Sequence, residues 1–238
     1  MEKALYLVLV VYFLFGAFVI RIINKKKTKA EQNQNWLKYF TYLFIVNGLF
    51  AAVIFKIIYF HYICLAIIVF GYYEIFRLIY ITRRTGIGIA TLIIASVGFY
   101  LFFRFSTLDK DHIFFVLALV SAFDAFSQLT GQFLGKRKLL PIISPNKTTE
   151  GLMGGYLFSM LTAVLMHDLA GLNGYQAILL GFGIATFAFL GDVSASFVKR
   201  KFGVKDFSAL IPGHGGFLDR FDSLIFAGSF MYLIINYL

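Results

Sequence analysis

The sequence predicts an all-α, polytopic transmembrane helix bundle of about eight spans with cytoplasmic motif loops. Three observations predict it. Hydrophobic residues make up 60% of the 238 and charged residues only 14%, against about 25% charged in a soluble domain. Apolar runs approaching the roughly 20 residues that cross a bilayer recur along the chain. Basic residues gather in alternate loops, as the positive-inside rule requires of a protein that crosses repeatedly.

The eight apolar segments are Ala4–Ile20, Trp36–Phe55, Ile57–Ile81, Gly86–Phe103, His112–Leu134, Gly151–Met166, Gly174–Gly191 and Phe217–Leu238. The first has no basic n-region beyond Lys3 and no clean small-residue cleavage site, so it reads as a span and not as a signal peptide. Little more than Lys56 separates the second from the third, which implies a tight hairpin. The sixth is short. The chain divides by content and not by a linker: residues 1–111 hold spans one to four with few intramembrane charges, and residues 112–238 hold spans five to eight with most of the unusual chemistry.

Loop charge sets the orientation. Arg21, Lys25, Lys26, Lys27, Lys29 and Lys38 flank the first loop. Arg83 and Arg84 follow span three, and Lys136, Arg137, Lys138 and Lys147 follow span five. Lys199, Arg200, Lys201 and Lys205 follow span seven. With eight spans these sixteen residues share one face, and Lys3, Lys56, Arg104 and Lys110 take the other. The rich face is assigned to the cytoplasm and both termini to the outside. The net charge of +10 therefore points to anionic headgroups and not to nucleic acid. The single cysteine, Cys64, lies in an apolar run. It allows no intramolecular disulfide and no Cys-based zinc site.

Charged residues inside spans mark candidate chemistry. Asp124 lies near the middle of span five, where a carboxylate costs about 2.5–3.5 kcal/mol on insertion scales and so needs a partner, a proton, a metal or a polar cavity. Ser121, Ser127 and Gln128 share its stripe at helical spacing. Asp192 ends span seven, with Ser196 and Lys199 on the same helical face. Asp219 and Asp222 open span eight three residues apart, with Arg220 between them directed elsewhere. Hard carboxylate oxygens at two adjacent helix ends suit Mg²⁺, although a plain salt-bridge network with neighbouring lysines and arginines fits the same spacing. The loop from Lys205 to Gly216 adds Asp206, His214 and three glycines that allow close backbone approach to an anion. The segment Ser144-Pro-Asn-Lys-Thr-Thr-Glu-Gly151, with Lys147 and Thr148, reads as a triphosphate cradle opening a helix. His61, Glu74, Arg77 and His167 lie near span ends and read as interfacial.

The stretch from Ser196 to Asp222 fits S-x-apolar-K-R-x4-K-D followed by P-x-H-G-G-apolar-x-D-R-apolar-D. With the Ser144–Gly151 segment, it resembles the phosphatidate cytidylyltransferase (CDP-diacylglycerol synthase) family from about Asp124 onward. The resemblance implies a paired-cation site with Asp192 and Asp219 as metal ligands, the cations being Mg²⁺ and a second such as K⁺. It implies Lys205, Asp206, His214 and Asp222 as catalytic residues. Substrate binding would fall to Asp124, Ser144, Lys147, Thr148, Ser196, Lys199 and Arg200. The implied partners are CTP, phosphatidate or a related lipid phosphate, and the bilayer, with a homodimer as one assembly open to it. The implied location is a bacterial plasma membrane. One departure stands out: four residues after Asp124 the family commonly has an aromatic, and this chain has Gln128. Gln128 keeps open transfer to a different lipid or polyprenyl phosphate, or from another nucleotide. A transporter with Asp124 in an ion path is the rival of another class, and the one-sided placement of motif residues argues against it.

Overall fold

The computed structural model describes residues 16–22, 24–25, 27–211 and 215–237. Most of the first expected span, and His214, fall outside them; residues 16–22 are helical. Seven long helices follow: α1 (Lys29–Phe55), α2 (Ile57–Thr82), α3 (Thr85–Phe105), α4 (Lys110–Leu134), α5 (Thr149–Leu165), α6 (Gly174–Phe202) and α7 (Leu218–Tyr237). A two-stranded antiparallel hairpin, β1 (Lys138–Leu140) and β2 (Ser144–Thr148), joins α4 to α5. The chain is thus an all-α membrane bundle, and α1, α2, α3, α4 and α6 are each long and apolar enough to cross a membrane.

Local chemistry sets the helix limits. Thr28 and Glu31 form a capping box at the start of α1, and Asn173 and Gln176 do the same for α6. Lys56 adopts an extended conformation (φ −157°) and breaks the apolar run into α1 and α2, as the sequence implies. Arg83 ends α2 in the left-handed region (φ 59°). Helix α6 outlasts its apolar run and continues to Phe202, where Gly203 caps it at φ 76°. Its last turn, with Lys199, Arg200 and Lys201, is therefore polar but still helical. Within the 135–149 connection, residues 138–148 form a hairpin, so the segment read as a cradle opening a helix begins as strand β2.

Helix α4 is the centre of the bundle. It packs on α5, α6, α7 and α1, and every residue from Ile113 to Val120 is buried. Aromatic pairs tie α4 to its neighbours, Phe50 with Phe114 and Phe126 stacked on Phe158. Large apolar side chains such as Phe44, Phe55, Tyr80 and Ile94 face outward instead, as lipid-facing positions require.

Glu74 corrects one sequence expectation. It is not interfacial; it is fully buried (0% exposed), and its carboxylate accepts hydrogen bonds from Ser208 and from the backbone N–H groups of Phe217 and Leu218. Its ladder neighbour Arg77 is exposed and donates to the Phe207 carbonyl at 3.3 Å. His61 is hydrogen-bonded to the Ser106 hydroxyl at 2.8 Å.

Candidate functional site

Four elements converge on one end of the bundle: the last turns of α4 with the hairpin, the polar end of α6, the following loop, and the first turn of α7. The basic loops meet there. Arg84 donates to the Lys201 carbonyl, and Arg200 donates to the carbonyls of Ile143 (3.2 Å) and Val204 (3.1 Å). Gly191 permits the critical approach. A Cβ there would collide with the Asp222 backbone carbonyl, so only glycine lets α6 run this close to α7 and set Asp192 beside Asp222.

A cavity of about 1320 Å³ opens between these elements. Asp124, Ser144, Lys147, Thr148, Asp192, Lys199, Lys205, Asp206, Asp219 and Asp222 all line it. The structure therefore gathers ten of the thirteen sequence candidates around one space. Ser196 stands behind the wall, buried, with its hydroxyl 3.4 Å from Asp192 Oδ1. Arg200 turns outward to the two carbonyls named above. The cavity extends past Asp124 along an apolar groove walled by Tyr42, Ile45, Val46 and Leu49 of α1 and by Phe114 and Leu117 of α4.

Two lysine–aspartate pairs organise the polar end. Lys147 pairs with Asp192 and lies 5.4 Å from the Phe189 ring centroid. Lys199 pairs with Asp219 and lies 5.5 Å from the Phe207 ring centroid. The second pair is deeply buried, with the Asp219 side chain only 2% exposed. Asp219 Oδ2 also accepts the backbone N–H groups of Phe207 (2.9 Å) and Gly216 (2.8 Å). The Asp219 carboxylate thus has three donors on it, the Lys199 ammonium and two backbone N–H groups. Asp222 Oδ1 accepts the Ser223 N–H at 2.7 Å, and the Ser223 hydroxyl lies 3.4 Å from Asp124 Oδ1.

Asp124, Asp192 and Asp222 share the wall of this cavity. Among the described residues no three His, Cys, Asp or Glu side chains form a ready cage for a metal ion. A hard divalent cation such as Mg²⁺ needs no such cage, since it keeps several waters and takes one or two carboxylates plus substrate phosphate. The donor set, all hard oxygens, fits that chemistry.

Thr148 has a local task. Its hydroxyl accepts the Gly151 N–H at 3.1 Å and caps α5. Glu150 tethers the hairpin from the opposite side, accepting the N–H groups of Lys136 (3.0 Å) and Arg137 (3.2 Å). Hydrogen bonds from its own N–H, then from that of Lys136, hold its carboxyl below the usual glutamate value. The tether is therefore complete at neutral pH and weakens as pH falls through that lowered value.

Sequence reasoning missed one member of the site and one pairing within it. Arg220, expected to point away, also lines the cavity. The Lys147–Asp192 pair joins residues 45 apart in sequence, and no spacing rule links them. Gln128 is exposed and lines the cavity near Asp124.

Comparison with known proteins bears on the same region. The sequence model of the cytidylyltransferase family matches residues 87–238. Phosphatidate cytidylyltransferase of Staphylococcus epidermidis is 41% identical over 133 residues, which is 55% of this chain and 51% of that protein. Phosphatidate cytidylyltransferase of Bacillus subtilis is 36% identical over 156 residues, 63% of this chain and 58% of that protein. The Escherichia coli protein named as uncharacterized protein YnbB is 45% identical over 126 residues, 52% of this chain and 42% of that protein. The chain thus spans about half the length of the relatives it matches.

Proposed function

The chain belongs to the cytidylyltransferase family, and from that premise we propose that it transfers the cytidylyl group of CTP to a lipid phosphate, with phosphatidate as the acceptor and CDP-diacylglycerol and pyrophosphate as products. The observation that carries this reading is one cavity with a polar, doubly charged end and an apolar tail. A triphosphate and a lipid phosphate both need cationic contacts, and only the lipid needs an apolar groove continuous with them.

The chain is read as eight spans with this end of the bundle on the cytoplasmic side, because CTP is cytosolic and the lipid phosphate lies at headgroup level. In the proposed reaction a phosphate oxygen of the lipid attacks the α-phosphorus of CTP in line, and pyrophosphate leaves with the electron pair of the broken P–O bond. The lipid phosphate is already an anionic nucleophile, so the residues chiefly position and neutralise. Lys147 and Lys199 exchange their aspartate partners for phosphate oxygens when substrates arrive. Lys205 and Arg220 add positive charge at the cavity wall and keep two anions from repelling each other. Ser144 and Thr148 set the hairpin and the α5 N-terminus against the nucleotide. Asp206 and His214 complete the catalytic set proposed for the loop, and Arg200 and Ser196 hold its α6 wall. Asp192 and Asp219, with Asp222 and Asp124 beside them, would hold Mg²⁺. A cation held there would supply positive charge to the phosphate oxygens; a second cation such as K⁺ is part of the same proposal.

The test is CTP-dependent labelling of phosphatidate by the purified protein in detergent with Mg²⁺. Formation of CDP-diacylglycerol supports the reading. Absence of CMP incorporation into any lipid phosphate overturns it. Gln128 at the cavity wall favours one second reading, a polyprenyl or other lipid phosphate as acceptor, and parallel assays with these lipids decide between them.

A further inference from the structure

Glu74 lies on α2, outside the matched residues 87–238, and the reaction proposed above makes no use of it. Its burial needs a reason, because an isolated carboxylate in the bilayer region is costly. Oε1 accepts the Phe217 N–H at 2.8 Å and the Ser208 hydroxyl, and Oε2 accepts the Leu218 N–H at 2.8 Å. Leu218 is the first residue of α7, so Glu74 caps from another helix two N–H groups that the helix itself leaves without partners.

Asp219 makes a parallel clamp one residue away. Asp219 ties Phe207 to Gly216, and Glu74 ties Ser208 to Phe217 and Leu218. The two carboxylates thus join residues 207–208 to residues 216–218, one from α2 and the other from α7 itself. Gly216 reports how closely they fit, since a Cβ on it would collide with the Glu74 carboxylate. Arg77, one turn along α2, reinforces the join through the Phe207 carbonyl.

We propose that Glu74 is a positioning residue: it clamps Ser208 to the start of α7 and so fixes the direction in which Asp219, Arg220 and Asp222 enter the cavity. The activity arm of its test rests on the transfer reaction proposed above; the structural arm does not.

The experiment uses the full chain in detergent with Glu74→Gln, Glu74→Ala and Ser208→Ala. Glu74→Gln keeps the volume but replaces one acceptor with a donor facing an N–H. Hydrogen exchange of the Phe207–Arg220 segment is measured beside steady-state transfer from CTP to phosphatidate. Exchange at Phe217 and Leu218 rises at least about tenfold in Glu74→Gln, and kcat and kcat/KM fall together by about 10–100-fold, as for other residues that orient a site's ligands. Ser208→Ala shifts both in the same direction by less. If Glu74→Ala fails to give monodisperse protein, Glu74→Gln carries the decision. Native exchange and native kcat in Glu74→Gln overturn the proposal, because a space-filling residue tolerates that exchange of groups. Faster exchange with unchanged kcat also overturns it. A wild-type protein that labels no lipid phosphate overturns the proposed function instead, and the exchange data still decide whether Glu74 clamps the loop.

Discussion

Helices α1 to α3 and helices α4 to α7 are built from similar apolar runs but do different work. In α4, half of the most apolar window is buried inside the protein; in α3 the share is 17%. The first group mostly faces outward. Its one buried carboxylate, Glu74, is committed to the second group. The second group gathers Asp124, Asp192, Asp219 and Asp222 on one cavity, each with a hydroxyl, backbone or lysine partner. The difference teaches that a buried charge here follows its partners: carboxylates collect where lysines, serines and helix N-termini converge. The first three helices act as a wall and a brace for that convergence.

The strongest way to break this comparison is Asp219→Ala. Removing it leaves Lys199 buried without its partner, which costs about 3–5 kcal/mol for a buried pair. It also strips the acceptor from two backbone N–H groups. Thermal unfolding in detergent is expected to show a large loss of stability, and cytidylyl transfer is expected to fall by at least about 100–1000-fold. Full turnover in this variant would sink the assignment of Asp219 to a cation. Lys147→Ala separates charge from stability. Its pair with Asp192 is partly exposed (22% and 36%), so stability changes by no more than about 1 kcal/mol. Its kcat/KM for CTP is expected to drop about 100-fold; equal kinetics would remove Lys147 from the nucleotide site. Gly191→Ala tests the approach of α6 to α7. The added methyl meets the Asp222 carbonyl, and overpacking of this kind costs about 1–3 kcal/mol. Unchanged melting and turnover would show that the spacing between Asp192 and Asp222 is not set there.

Much of this was legible in the sequence, for reasons that differ by residue. The helices announced themselves because an apolar run needs no partner to be recognised, and the break at Lys56 falls where the run is interrupted. The site candidates were legible because aspartates and lysines in an apolar chain are conspicuous, and helical spacing put Asp192 with Ser196 and Asp219 with Asp222. What stayed hidden depends on contacts across the chain. Residues 138–148 hold prolines and charges and look like a loop until β2 supplies the pairing for β1. Glu74 lies near the end of a span in one dimension, and its partners are 134 to 144 residues away. The backbone donors on Asp219 leave no trace in residue identity, so its role as a clamp was unreadable while its acidity was plain.

The finest edge of the comparison runs through α1, where two residues two positions apart face opposite ways. Tyr42 lines the cavity, and Phe44 is 79% exposed on the outer surface. In a bilayer the tails that would touch Phe44 are as apolar as the side chain, so no hydrophobic drive holds it to the protein. Phe44→Ala is therefore expected to change stability by less than about 0.5 kcal/mol, as at other positions away from packed or polar features, and to leave turnover as it was. Tyr42→Ala removes part of the apolar wall and is expected to raise KM for the lipid with little change in kcat, the signature of lost uniform binding. Kinetics of both variants at saturating CTP, with the lipid varied, check the pair. If Phe44→Ala lowered turnover as much as Tyr42→Ala raised KM, the outer face of α1 would be part of the machinery, and the division between wall and site would have to be redrawn through this helix.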